Sequence, residues 1–540
     1  MMVDHGSSGR FAPGGFLVVV AAAIYMFTCV STASPIGLPN LRECQLATDS
    51  SVIGSPFTTR LNCCLPIPPG DVIDFSFQKY KNHNRRLRMP AHKISSDYIA
   101  KYRRAYEIMR ALPQDDPRNF ITQANVHCAF CNGAYKQPGT DGILIQMHFS
   151  WLFLIWHRWY LYFHERILGS LIGDPSFALV FWNWDDQRDG GNIMPAMFLP
   201  NNSSLYDANR NQANLPPTLA KLTPVMTGND SEIINQNLNI MYQEVVTNDV
   251  AELFIGGPYR TGVDISNSTV LNAPLGGSIE NGIHNAMHYW TGDPRQPLLQ
   301  DMGTFSSASR DPIFYAHHSN LDRLWDKWRH GMPGGPRKDY SDPDFLNAEF
   351  YFYDENARLV KVNVRDGLDI EKLGYGYPDV AADELWINYS PLPVTTGSVV
   401  AAARAMGVPE IGAFPLNGTI VLGSAFSGIV KAPYRKSKAS HQREVLVIEG
   451  LHVSRESFVS VVAFVNLPYA NSSTATSSAE YVGTFNLVAS PGKTITTNVK
   501  FEIGDNLKRI DIQDEPEVVI TLAVKGTQSV RIKGLLIKYQ

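Results

Sequence analysis

Cysteine is scarce in this chain, six residues in 540, and the scarcity excludes several chemistries. The single C-x-x-C stretch, "HCAFC" at 127–131, has no second thiolate pair downstream, which argues against a four-thiolate zinc knuckle. No βαβ pattern surrounds it, which sets aside a thioredoxin-like redox pair. A large excess of charge of one sign is missing too. The net charge is -4, which leaves no electrostatic footprint for nucleic acid. Within the helical segments that carry most of the histidines, E-x-x-H and H-E-x-x-H are both absent, which argues against di-iron centres of the Glu-x-x-His kind. What remains is ordinary in bulk: 44% hydrophobic and 18% charged residues. The length exceeds one ordinary core, so two folded units are expected.

Long apolar runs are missing except one. Phe16–Val30 follows Arg10 and ends in small residues, Ser31 to Ser34. It is short for a membrane span and has the form of a cleaved secretory signal, residues 1–34. Seven N-x-S/T sequons, at Asn201, Asn202, Asn229, Asn267, Asn388, Asn417 and Asn471, agree with that route. The expected route is the secretory pathway. No membrane partner is expected after signal cleavage. Two short basic clusters, "NRRLR" (84–88) and "YRKSK" (434–438), read as solvated surface.

Cys29 falls inside the signal and would be lost with it. Cys44, Cys63, Cys64, Cys128 and Cys131 remain, an odd number. Adjacent Cys63 and Cys64 do not readily pair with each other, so each must reach elsewhere, with Cys44 and Cys128 as candidate partners. Such bonds would strap a Pro-rich arm, "CCLPIPPG", to the body and leave Cys131 over.

Histidine is more informative. There are fourteen, with none between His164 and His284. His127, His148 and His157 form one cluster. His284, His288, His317 and His318 form another. The aromatic stretch "QMHFSWLFLIWHRWYLYFHERIL" (146–168) reads as a buried helix. His148 and His157 are nine apart and would face opposite sides of one straight helix, so His148 belongs at or before its start. His284 and His288 stand at i and i+4 on one helical face. "SRDPIFYAHHSNLDRLWDKW" (309–328) starts a helix at Asp-Pro and puts Asp322 one turn after His318, where it could accept an imidazole N–H. Two groups of three imidazoles suit copper, zinc, iron or nickel and leave open positions for a small bridging molecule such as dioxygen.

At this point the chain, from about Cys44 to its end, closely resembles the plant polyphenol oxidases, the catechol oxidase and tyrosinase branch of the type-3 copper proteins. "HCAFC" and "FLIWHRWYLYFHERIL" resemble the copper-A segments and "DPIFYAHHSNLDRLW" the copper-B signature; "FWNWD", "YGYPD" and "KFEI" look like further landmarks. The resemblance implies two copper ions, copper A on His127, His148 and His157, copper B on His284, His288 and His318, with His317 a neighbour. It also implies disulfides Cys63–Cys128 and Cys44–Cys64, and a thioether between Cys131 and His148. Phe305 resembles the family's aromatic gate over copper. Glu280 and Asn285 resemble a pair proposed to hold a water that could act as a base. His164 and Tyr289 depart from the usual pattern. The resemblance also implies a plastid leader; set against it, the secretory signal points to the vacuole lumen or the outside of the cell ahead of the thylakoid lumen.

The expected fold is mainly α: a central helical bundle holding the dicopper site, residues 35–377 with a disulfide-tied N-terminal arm. A linker with a processing site follows at 378–414. Residues 415–540 are β-branched runs broken by Gly, Asn, Ser and Pro, an antiparallel sandwich or barrel. The resemblance implies that this domain shields the site until a protease removes it. The implied activity is oxidation of o-diphenols to o-quinones with dioxygen reduced to water, with o-hydroxylation of monophenols also open. The rival readings are a hemocyanin-like oxygen carrier without turnover and a two-zinc hydrolase. The partners expected are a phenol, dioxygen and an activating protease, and no nucleic acid.

Overall fold

A computed structural model of the protein describes residues 34–49, 59–78, 85–265, 276–411, 419–433, 442–489, 494–526 and 529–540. The signal segment through Ala33, Asn267, Asn417 and the cluster "YRKSK" lie outside these residues. Among the described residues no helix is long and apolar enough to cross a membrane.

Six helices frame the first unit: α1 (Ser96–Ala111), α2 (Phe120–Cys131), α3 (Leu152–Leu171), α4 (Asp230–Met241), α5 (Asn285–Thr291) and α6 (Ile313–His330). Local chemistry starts most of them. Ser95 accepts from Tyr98 N and Asn119 from Ile121 N; Asn229 and Glu232 form a reciprocal capping box, each satisfying an otherwise orphaned backbone donor. Asp311 accepts from Ile313 N, 2.9 Å, at the start of α6. Helix α3 is buried nearly all round, as its unbroken aromatic run requires, and packs against α6 and α1. Disulfides join Cys44 to Cys64 and Cys63 to Cys128, so the N-terminal arm is tied to α2.

Within the cluster at 84–88, Arg85 is exposed but Arg86 and Arg88 are not solvated surface. On the strand Arg86–Leu87 the usual pattern is inverted: Arg86 and Arg88 are buried while Leu87 is exposed. Arg86 and Arg88 pair with Glu165 of α3 at 2.7 and 2.8 Å. Arg88 also reaches Asp322 of α6, 3.2 Å, which takes Arg158 Nε at 2.5 Å and the hydroxyls of Tyr375 and Tyr377 at 2.6 Å each. Burial pushes the Asp322 carboxyl up, but the two arginines and two hydroxyls outweigh it and hold it below the usual range. Asp322 therefore does not serve an imidazole. Its oxygens are taken by a buried ionic hub that fixes α3 against α6, the two helices bearing His157 and His318. Buried charge survives only when paired in this way.

The C-terminal unit is built from β1 (Glu410–Ile411), β2 (Ile420–Leu422), β3 (Ala425–Lys431), β4 (Glu444–Ser454), β5 (Val459–Val465), β6 (Tyr481–Leu487), β7 (Thr494–Glu502), β8 (Glu517–Lys525), β9 (Val530–Ile532) and β10 (Gly534–Tyr539). One sheet runs β6-β5-β8-β3-β1. The other runs β7-β4-β9-β2, with β10 also on β4. All pairings are antiparallel except β1 with β3.

Strand β6 is an edge strand buried at every residue. Its second face lies on the helical unit. Glu244 accepts from Thr484 N (3.1 Å) and Tyr481 OH (3.3 Å), and Asn239 Nδ2 donates to Thr476 O (2.6 Å) and Ser478 O (2.9 Å). Burial raises the Glu244 carboxyl to about 8, the Thr484 amide and Tyr481 hydroxyl opposing; Tyr481 is the titratable group facing it. A carboxyl raised on docking favours the docked form below its free value, and that advantage is lost as pH rises toward 8. Docking of the two units is thus expected to loosen between about pH 4.5 and 8. Glu244→Gln should flatten that dependence in a protease-susceptibility series. An unchanged slope in the variant would remove Glu244 as its source.

Candidate metal centre

Four elements bring the histidines together. Helix α2 supplies His127. His148 precedes α3, followed by Phe149 in the left-handed region at φ 63°, a conformation costly for a bulky residue. The Phe149 amide is held there by Glu280 Oε1, 2.7 Å, and this aims His148 inward. His157 lies one turn into α3. A single wide π-turn, Ile279–His284, runs into α5 and presents His284 and His288, whose ring centroids are 4.5 Å apart. Helix α6 supplies His317 and His318.

The first three rings form a nearly equilateral triangle, centroids 5.2 to 5.4 Å apart. The second group is tighter on one side: His318 lies 5.0 Å from His284 and 5.7 Å from His288. The two groups abut, His157 on His318 at 4.2 Å and His148 beside His284 at 5.8 Å. One nitrogen or sulfur from each of His127, Cys131, His148 and His157 lies within 4.8 Å of the others, and the same holds for His284, His288, His317 and His318.

Hydrogen bonds fix which nitrogen faces inward. His127 Nδ1 lies 2.9 Å from Phe305 O, His157 Nδ1 2.8 Å from Phe153 O, His288 Nδ1 2.5 Å from Met302 O and His148 Nδ1 3.2 Å from Gln146 Oε1. A carbonyl oxygen only accepts, so each Nδ1 must donate. Every Nε2 then keeps a lone pair, buried and without a hydrogen-bond partner. His284 and His318 have neither nitrogen partnered. Burial pushes His157 down to about 3 and His288 to about 4, and the other rings well below the usual value, so all are neutral near pH 7. So many inward, desolvated lone pairs would be costly unless they meet a cation. The donor set fits two imidazole-bound metal ions, and carbonyls that orient the rings are the usual outer support of such a site.

His317 differs. Trp184 Nε1 donates to its Nδ1, 3.2 Å. That takes its lone pair and leaves the proton on Nε2, so its inner nitrogen has nothing to offer an ion. Cys131 is a buried free thiol.

Phe305 is buried and stacks on His148, centroids 3.8 Å apart and 12° between planes. Glu280 is buried; its Oε2 has no partner, and burial raises its carboxyl well above the usual range, the Phe149 amide and then Arg455 opposing. Asn285 donates Nδ2 to Asn486 O of β6 (2.7 Å), and Asn486 donates to Gly282 O (2.8 Å). The amide expected to hold a water is thus engaged by the C-terminal unit. Tyr289 stacks on Phe458 of the same unit, 4.0 Å. His164 lies behind the site, stacked on Tyr315.

Arg455 has no local signature that marks it as part of the site. It lies in the turn between β4 and β5, fully buried, with its guanidinium carbon 5.0 Å from the Phe149 ring and 5.8 Å from Phe305. An arginine in a two-strand turn reads as solvent-facing; only the docked unit makes it a plug.

The chain matches the family described as the common central domain of tyrosinase over residues 117–331, the polyphenol oxidase middle domain over 339–392, and the chloroplastic polyphenol oxidase C-terminal domain over 418–539. It is 40% identical to a chloroplastic polyphenol oxidase of Malus domestica, covering 94% of this chain and 85% of the relative. It is 42% identical to a chloroplastic (+)-larreatricin hydroxylase of Larrea tridentata, covering 88% and 81%. The structure of latent apple tyrosinase superposes with a TM-score of 0.78 at 41% identity, over 87% of this chain and all of that one. The names of both curated relatives place them in the plastid, which overturns the expected vacuolar or extracellular location. A short apolar run ending in small residues marks passage across a membrane, and hydrophobicity does not encode which one.

Proposed function

This chain belongs to the tyrosinase family, in its plant polyphenol oxidase branch, and from that premise we propose that it oxidises o-diphenols to o-quinones in the plastid while dioxygen is reduced to water. The carrying observation is the double set of buried inward imidazole lone pairs. His127, His148 and His157 would hold copper A, and His284, His288 and His318 copper B. The bound coppers supply dioxygen binding and electron transfer. The protein supplies the rest. Phe305, fixed on His148, limits access and offers a ring face to an incoming phenol. A thioether from Cys131 to His148 would lock the ring beside the strained Phe149. Glu280 Oε2 and Asn285 Oδ1, neither of which has a partner, would hold a water as a base toward a phenol, and withdrawal of Asn486 would free Asn285 Nδ2 as well.

The uncleaved chain is latent. Residues 35–377 carry the chemistry, 415–540 cover it, and the activating protease cuts within 378–414. Leu392 and Val394 there are 78% and 65% exposed, which suits recognition. The segment is tied by Ala479 N to Leu392 O (3.0 Å) and by Glu480 to the amides of Val394 (2.7 Å) and Thr395 (2.9 Å), so cutting requires local opening.

The test is oxygen uptake by copper-loaded protein before and after limited proteolysis. Slow uptake with catechol before cutting and fast uptake after is expected. Two bound coppers with reversible oxygen binding but no quinone would support a carrier instead. Zinc in place of copper would support a hydrolase. Uptake with a monophenol alone would extend the activity to o-hydroxylation.

A further inference from the structure

The helical unit holds a file of oxidisable side chains with no place in that chemistry. It starts beside copper A. Tyr160 is stacked near His127, centroids 6.4 Å apart, and is reached a second way from His157 through Trp156, at 4.9 and 5.3 Å. The Tyr160 and Tyr315 hydroxyls are 3.0 Å apart. Tyr315 lies flat on His164, centroids 3.7 Å apart with 5° between planes. The Tyr106 hydroxyl and His164 Nε2 share a hydrogen bond of 3.0 Å. Tyr106 stacks on Tyr102 at 5.4 Å, and one turn back on the same face of α1 stands half-buried Tyr98, in reach of solvent.

Packing does not require these groups. Phenylalanine fills such space without burying hydroxyls, which carries a desolvation cost. Along this file the polar atoms pair two by two in a dry core, Tyr160 with Tyr315 and His164 with Tyr106, the two pairs joined by the stack of Tyr315 on His164; the Tyr160 hydroxyl also donates to Gln123 O. His164 also stands where the family resemblance called for a residue that does not ionise.

Resting on the dicopper reading, we propose that Tyr160, Tyr315, His164, Tyr106, Tyr102 and Tyr98 form an electron relay that drains oxidising equivalents from the copper-A side when no phenol is bound, sparing the histidine ligands. The oxidant is that of the enzyme's own reaction, dioxygen or the hydrogen peroxide formed by its partial reduction. Each electron passed along the file to the oxidant on the copper-A side leaves a vacancy that settles on Tyr106, whose hydroxyl proton passes to His164 Nε2, leaving a neutral tyrosyl radical. An o-diphenol in solution refills the vacancy at Tyr98, losing one electron and one proton. The proton on His164 returns to Tyr106. The solvent proton released there balances the one taken up where peroxide becomes water.

The test treats copper-loaded full-length protein with hydrogen peroxide without phenol. Radicals are read by electron paramagnetic resonance of frozen samples, and oxidised residues by peptide mass mapping. The expected result is a tyrosyl radical and oxidation gathered on Tyr98, Tyr102 and Tyr106. In Tyr106→Phe and, independently, His164→Phe, the radical is lost and oxidation of His127 and His157 rises several-fold, with single-turnover diphenol oxidation by the protease-cut protein unchanged. The same radical and the same map in whichever variant folds would overturn the relay. Two bound coppers with catechol turnover and no tyrosyl radical would overturn the relay alone. Failure to bind copper would overturn the dicopper reading and the relay with it.

Discussion

His318→Ala will abolish diphenol oxidation by the protease-cut protein, while its neighbour His317→Ala will not. Adjacent histidines on α6 put side chains about 100° apart, so only one can complete a set with His284 and His288. Both have a nitrogen in that cluster, and proximity alone does not separate them. The tautomer does. Trp184 holds the lone pair of His317, whereas both nitrogens of His318 are unpartnered and its ring is stacked on His157 of the other group. Losing His318 removes one of three donors to copper B. A bound ion's contribution of several kcal/mol goes with it, about a 10³-fold fall in turnover or more. Copper content should drop from two ions toward one. Losing His317 leaves Trp184 without an acceptor and relaxes the wall behind the site, an effect of about 10- to 100-fold with copper retained. Metal analysis beside oxygen uptake decides it: copper loss in His317→Ala and not in His318→Ala would invert the assignment.

Much of this was legible before the structure. The aromatic stretch at 146–168 read as a buried helix with His148 at or before its start, and i,i+4 spacing placed His284 and His288 on one face. Both hold because helical periodicity survives burial on all sides. What failed to show had a common cause: its meaning came from a distant segment. Arg86 and Arg88 look like surface charge, and become core only because Glu165 and Asp322 meet them from α3 and α6. Asp322, one turn beyond His318, has the right spacing for an imidazole partner, yet two arginines and two tyrosines claim it. Strand β6 reads only as one more β-branched run, and the helical unit buries its outer face. The positive φ of Phe149 has no local signature, since no glycine or asparagine stands there. The N-terminal run shows a general translocation pattern, and its destination had to come from relatives.

Arg455→Ala will raise the activity of the uncleaved protein without detaching its C-terminal unit. The docked unit is held by contacts far from Arg455, among them Glu244 with Thr484, Asn239 with Ser478, and Lys500 with Glu252 at 2.6 Å. None depends on the guanidinium. Arg455 itself is poorly rewarded: Nε and Nη2 have no partner, and burial lowers its pKa to about 10, with Glu280 opposing. A cation in that position is retained at a cost, and what it does there is fill the space above Phe149 and Phe305. Cutting it back to a methyl opens the mouth while the rest of the interface stays closed. If blocked molecules outnumber open ones by about 99 to 1, unblocking raises the apparent rate with catechol by about 10²-fold. The protease-cut enzyme, which no longer carries residue 455, sets the ceiling. Arg455→Lys keeps a charge beside Glu280 but loses the flat guanidinium over the two rings, so it should fall between. Size-exclusion chromatography under denaturing and native conditions must show one intact chain throughout. Full latency in Arg455→Ala with the chain intact would mean that other contacts of the docked unit, Asn486 on β6 and Phe458 in the β4–β5 turn, close the site.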